Sequence, residues 1–249
     1  MDIGVTVGDS LDRVDRLGPA FAFVEIGIDE GGIPAVEESP STVADRVSDV
    51  DCSLCLHLPF KQDLVTHVPE INGAIVDFLD RLLEWGAGAG ATKAVLHATA
   101  RNPHDLDLRD VAADQLTAIG ERADGHDIEL VVENVGHQQR GLQLSVLADL
   151  AERTDTAVCF DVGHAYMEDG QDGIERFLKQ TADRISHLHA HDARSRGDTH
   201  LPIGAGEIEY DPLGDRLGGF DGTVAIEVFT DDLPLLRDSA DRIRALFDR

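Results

Sequence analysis

Residues 128–165 read IELVVENVGHQQRGLQLSVLADLAERTDTAVCFDVGHA. A strand-like run, IELVVEN at 128–134, is followed by a helical pattern from Leu142 to Arg153 and a second strand-like run, AVCFDV at 157–162. Both runs are nearly continuously apolar, as in parallel strands covered on two faces. Both also close on side chains that bind zinc, manganese or iron: Glu133 in the first, Asp161 in the second, with His164 just beyond it. Buried carboxylates and imidazoles cost free energy unless they are partnered. This strand–helix–strand unit predicts a parallel α/β sheet with a shared metal site at the strand C-termini.

The unit repeats in both directions along the chain. Further strand-like runs lie at 2–8 (DIGVTVG), 23–28 (FVEIGI), 52–58 (CSLCLHL), 93–98 (KAVLHA), 184–190 (RISHLHA) and 223–229 (TVAIEVF). They close on His57, His97, the cluster His187, His189 and His191, and Glu227; Asp198 and His200 follow in the loop after the cluster. Helical patterns fill most gaps. The clearest is Gly73–Trp85, with Ile75, Val76, Leu79, Leu82 and Leu83 on one face. Others are Leu108–Arg122, Ile174–Asp183 and Leu233–Phe247, with weaker signals at Leu11–Leu17 and Ser41–Val47. Eight alternations predict a closed (β/α)₈ TIM barrel, one domain over residues 1–249, matching the length of about 250 residues usual for that fold. An open doubly wound sheet would call for a glycine-rich phosphate turn after its first strand, and VTVGDSLDRV has one glycine there.

In such a barrel, residues far apart in sequence converge at one mouth. One polar residue ending a strand is ordinary; six strands ending so is not. His187, His189 and His191 alternate and so share a face of their strand. His187 lies deepest and is expected behind the ligands or in the core, and His191 is expected to orient a ligand.

The chain carries 48 Asp and Glu against 21 Lys and Arg, a net charge of −27, with Lys only at positions 61, 93 and 179. Such an excess opposes binding to nucleic acid or anionic membrane. It also suits a protein from a very salty cytoplasm, as in haloarchaea, where a Debye length of about 3 Å at 1 M salt screens the repulsion. No apolar run reaches the roughly 20 residues of a membrane span, and MDIGVTVGDS lacks the features of a signal peptide. A cytoplasmic protein without membrane partners is expected. Cys52 and Cys55 form a C-x-x-C inside a strand-like run with no second pair, so these and Cys159 read as reduced structural cysteines.

The segments HLPF (57–60), LHAT (96–99), VVENVG (131–136), FDVGHA (160–165), HAHDA (189–193), GDTHLPIGAGEI (197–208) and AIEVF (225–229), in this order and spacing, resemble the xylose-isomerase-like TIM-barrel superfamily. That superfamily includes endonuclease IV and many sugar-phosphate isomerases and epimerases. The resemblance implies that Glu133, Asp161, His189 and Glu227 form a metal tetrad. It implies that His57 and His97 share Glu133 in a second site, and that His164, Asp198 and His200 form a third. One to three divalent ions per chain, zinc or manganese, are then expected.

Two reactions compete under this resemblance. The favoured one is isomerisation or epimerisation of a small sugar or sugar phosphate through an enediolate, with Glu133 and Glu227 moving the proton. The alternative is cleavage of a phosphodiester at abasic sites in DNA, as in endonuclease IV. Arg194 and Arg196 are candidate phosphate ligands in either case. The loop DEGGIPAVEES after the second strand is acidic and without Arg, which weakens the DNA reading; Phe60 and Lys61 are its candidate wedge and grip.

Overall fold

The structure, a computed structural model, describes residues 1–17, 20–29, 39–197 and 199–248. Eight parallel strands close in chain order: β1 Asp2–Gly8, β2 Phe23–Gly27, β3 Ser53–His57, β4 Ala91–His97, β5 Glu129–Glu133, β6 Ala157–Asp161, β7 Ile185–Ala190 and β8 Thr223–Ile226, which pairs back onto β1. Each strand is followed by a helix. The first is the 3₁₀ segment Leu11–Arg16. The rest are α1 Pro40–Asp49, α2 Pro69–Gly88, α3 Leu108–Gly125, α4 Leu144–Thr154, α5 Val162–Thr181, α6 Asp211–Arg216 and α7 Leu233–Phe247. The fold is the expected TIM barrel, and the open sheet is ruled out.

Side chains alternate across each strand with period two. Outward positions such as Leu54, Leu56, Ala94, Leu96, Val132, Val158, Phe160, Val224 and Ile226 join the helices in one large apolar layer. Inward positions form a separate, much smaller apolar cluster of Phe23, Cys55, Val95, Val131, Cys159 and Ala225. At its base, Gly4 makes room for Phe23: a Cβ there would fall 2.5 Å from the ring. The same inward column continues upward into the candidate ligands.

Local signals explain most helix starts. Ser39 caps α1 by accepting from the Thr42 N–H, and Pro40, Pro69 and Pro234 occupy first-turn positions where no amide donor is needed. Two expectations need correction. Helix α5 begins at Val162, well before Ile174, because Asp161 caps it directly at the strand end; a kink at Asp169 and Gly170 (φ 65°) hides this first half from the apolar periodicity. Helix α6 gave no signal because its six residues bury only Leu213. The three cysteines are free, and Cys55 and Cys159 are buried. Among the described residues no helix is long and apolar enough to cross a membrane. Asp198 and residues 30–38 of the acidic loop lie outside the described residues.

Candidate metal centre

Strand register brings the candidates together. His97 on β4 pairs with Glu133 on β5, and Asp161 on β6 pairs with His189 on β7. His57 ends β3 and Glu227 directly follows β8.

The first donor set is a tight triangle. Oε2 of Glu133 lies 3.2 Å from Nε2 of His57 and 3.0 Å from Nε2 of His97, and the two nitrogens are 3.2 Å apart. Ligands around a tetrahedral zinc with bonds of about 2.1 Å sit roughly 3.4 Å from one another, so the triangle fits a cation almost without adjustment. His57 Nδ1 donates to the Leu58 carbonyl at 3.1 Å, which turns Nε2 toward the set. Burial lowers both imidazoles. At His57 the hydrogen bond to Glu133 and the charges of Glu133 and Glu25 together outweigh burial, so it is raised, whereas His97 remains lowered.

The other oxygen of the same carboxylate faces a second set. Nδ1 of His189 lies 3.5 Å from Glu133 Oε1, 3.7 Å from Asp161 Oδ2 and 3.3 Å from Glu227 Oε2. Glu133 Oε1, His189 Nδ1 and Glu227 Oε2 are buried without a hydrogen-bond partner. Glu133 Oε1 does come within 3.0 Å of His164 Nδ1, but the directions make this an ion-pair contact only. Buried polar atoms are almost always paired. Three orphans of ligand type pointing at one another fit a divalent cation, and a carboxylate–imidazole set suits zinc or manganese. Burial alone would raise all three carboxylates, yet the imidazoles prevail. His97 and His189 hold Glu133 well below the usual range, His164 and His191 do so for Asp161, and His189 with His200 brings Glu227 to about 2.

His164 and His200 stand on the outer side of this set. Asp161 caps α5, its Oδ1 accepting the His164 N–H at 2.6 Å, and so delivers His164 to the mouth one turn later. Gly163 is required between them, since a Cβ there would fall 1.9 Å from the His191 ring. His191 Nε2 lies 3.1 Å from both Asp161 oxygens, while its Nδ1 accepts the His200 backbone N–H at 2.9 Å. Nε2 thus carries the hydrogen and orients Asp161. That backbone bond also holds His200 at φ 56°, a left-handed conformation that histidine adopts more readily than most residues. His200 Nε2 points to Glu227, 3.6 Å away. Ring centroids of His164 and His200 are 5.6 Å apart. Burial lowers His164, but Asp161 and Glu133 beside it push it up to about 9. The third expected ligand of this group, Asp198, lies outside the described residues.

Glu25 was not anticipated. It is 0% exposed, and its Oε2 lies 3.1 Å from Nε2 of both His187 and His189. The signal existed: Glu25 sits two residues before the end of β2 and pairs with inward-facing Cys55. Asp192 was also overlooked; it ties down the loop after β7 by accepting from the backbone of Ala193, Gly204 and Ile208. Arg194 is half-buried and donates to the Ala205 carbonyl at 2.7 Å, and Arg196 is exposed near Glu207. Phe60 (47% exposed) stacks on His97, and Phe229 (73% exposed) stacks on His200, so aromatic rings flank the mouth on two sides.

The fold and this rim define a class: a TIM barrel whose strand ends gather imidazoles and carboxylates into adjoining donor sets. The chain belongs to the xylose isomerase-like TIM barrel family, whose sequence model matches residues 11–247. Among curated relatives, the uncharacterized protein MJ1614 of Methanocaldococcus jannaschii is 24% identical over 98% of this chain and 99% of its own length. A probable endonuclease 4 of Staphylococcus epidermidis is 28% identical over 65% of this chain and 60% of its own length. Among solved structures, an L-ribulose 3-epimerase superposes with TM-score 0.81 at 17% identity, covering 100% of this chain and 95% of the other. The TTHB071 protein of Thermus thermophilus, soaked with ZnCl2, superposes with TM-score 0.76 at 25% identity, covering 99% and 98%.

Proposed function

We propose that this protein is a metal-dependent hydrolase of phosphate esters, with His57, His97 and Glu133 holding one divalent cation and Glu133, Asp161, His189 and Glu227 a second. His164, Asp198 and His200 are the proposed ligands of a third. One observation carries this assignment: the two oxygens of Glu133 serve different donor sets, Oε2 at 3.0 and 3.2 Å from His97 and His57, Oε1 at 3.5 Å from His189. A base for enediolate chemistry needs a carboxylate oxygen free to face a substrate carbon, and with both donor sets occupied Glu133 would offer none. Hydrolysis asks its carboxylates to hold cations and leaves attack to water. Bound cations would supply Lewis acidity at a phosphoryl oxygen and a lowered pKa for water. The protein residues orient them, and Arg194 and Arg196 are proposed to hold the phosphate.

A sugar or sugar-phosphate isomerase or epimerase is the second reading. It is favoured by Glu227, which at 9% exposure is the most accessible carboxylate of the tetrad and could serve as a base. The likeness to sugar epimerases supplies the barrel rather than the reaction. The charge of −27 repels a polyanion at low ionic strength, so activity on abasic DNA is expected only in concentrated salt. We read the acidic, lysine-poor composition as adaptation to such salt, in a haloarchaeal cytoplasm.

The test pairs metal analysis with a substrate panel in molar KCl: an abasic-site oligonucleotide, small phosphate mono- and diesters, and ketoses with their phosphates. Two or three cations per chain with phosphate-ester cleavage are expected. One cation per chain with an epimerised sugar would establish the second reading instead.

A further inference from the structure

Glu25 belongs to neither donor set, yet it is buried as deeply as any charge in the molecule. TIM-barrel interior layers are normally branched aliphatic residues, and an isolated carboxylate there would be costly. Its partners show what it does. Oε1 accepts the Thr6 hydroxyl at 3.0 Å, and Oε2 meets Nε2 of His187 and Nε2 of His189, each at 3.1 Å. A carboxylate only accepts, so both imidazoles present Nε2–H to it. His187 then takes the Thr223 hydroxyl on Nδ1 at 2.6 Å, and Thr223 accepts the Lys93 ammonium at 2.9 Å. The chain Lys93–Thr223–His187–Glu25–His189 therefore runs up the barrel interior and ends under the mouth. His189 has its Nε2 committed, which leaves Nδ1 open to a cation. That nitrogen is one of the buried atoms without a hydrogen-bond partner, and it faces Glu133, Asp161 and Glu227.

We propose that Glu25 is a positioning residue: it fixes the orientation and tautomer of His189 so that Nδ1 is the ligand nitrogen, and the Lys93–Thr223–His187 chain holds Glu25 in place for that task. This rests on His189 ligating a cation, as proposed above, and not on which reaction follows. Carboxylates that take the second N–H of a ligating histidine raise metal affinity about 10–100-fold. Glu25→Gln keeps the size of the side chain but removes its charge: its carbonyl oxygen can take the place of Oε2, with the NH₂ turned to the Thr6 hydroxyl, so the bonds that fix His189 are no longer charge-assisted.

The experiment titrates zinc into metal-free wild type and Glu25→Gln against a competing chelator, with circular dichroism as a check of folding. It also records ¹⁵N shifts of labelled histidines in the zinc-loaded proteins. Expected are a loss of about 10–100-fold in affinity for one cation, retention of the cation at His57 and His97, and a wild-type His189 with Nε2–H and metal-bound Nδ1. A folded Glu25→Gln that binds every cation as tightly as wild type overturns the inference and leaves the metal centre intact. Should that variant not fold, the wild-type spectrum decides: His189 bound through Nε2, with hydrogen on Nδ1, overturns it equally. A wild type that takes up no zinc overturns the metal centre itself, and the inference with it.

Discussion

The two faces of the barrel sheet are made of opposite materials. Outward, β6 presents Val158 and Phe160 to the helices; inward, it presents Ala157, Cys159 and Asp161. Strand β4 does the same, with Ala94 and Leu96 outward against Val95 and His97 inward. The outer layer supplies apolar area removed from water, the dominant favourable term in folding. The inner column spends that stability on groups that are costly to bury: Glu25, Glu133, Asp161, His187 and His189 are all at 0–1% exposure. Stability and chemistry are thus assigned to alternate residues of the same strands, a separation that mutation can test.

The largest effect is expected in the inner column. Glu133→Gln removes a ligand from both donor sets and should lower kcat/KM on the order of 10³-fold, with weakened uptake of two cations and an unchanged far-ultraviolet spectrum. An active variant would show that the column does not carry the chemistry. Next comes the outer layer. Phe177 packs against Phe160 with ring centroids 5.2 Å apart, and Phe177→Ala should cost about 3–5 kcal/mol of unfolding free energy in denaturant titrations. Its folded fraction should still bind metal with wild-type stoichiometry; a parallel loss of metal would erase the division between the faces.

A smaller effect follows from His164, raised from 6.5 to about 9. A raised histidine favours the fold most at low pH. Its contribution in the metal-free protein is full below about 6.5 and is lost as pH rises through about 9. A cation competes with that proton, so zinc affinity should increase across the same window, and zinc uptake at pH 7 should release protons to an indicator dye. Affinity independent of pH between 7 and 9 would place His164 outside the centre. The smallest effect concerns the surface alone: the melting temperature should rise between low and molar KCl as the charge of −27 is screened. A flat response would contradict the salt-adapted reading.

The same division explains what the sequence disclosed. All eight strands were legible because most of their outward positions are apolar where the helices cover them. His57, His97, Glu133, Asp161 and Glu227 stood out because each sits at a strand end, where any polar residue must be explained. Glu25 sits inside FVEIGI, and its meaning depends on His187 and His189, more than 160 residues away, facing it across the barrel. Only three-dimensional register supplies that. Helix α6 was hidden for the opposite reason, since a six-residue segment with one buried leucine has no period to read. For α5 a start signal was available, because Asp161 is a good cap, but the kink at Gly170 broke the periodicity that would have marked its first half.

Asp161 has one oxygen in the backbone of α5 and the other turned to the donor atoms. A change in occupancy of the second set is therefore expected to be felt at the first amides of that helix, since the same carboxylate serves both. Slowed amide exchange at His164 would report occupancy from the wall of the barrel, making the start of α5 a built-in gauge of what the centre holds.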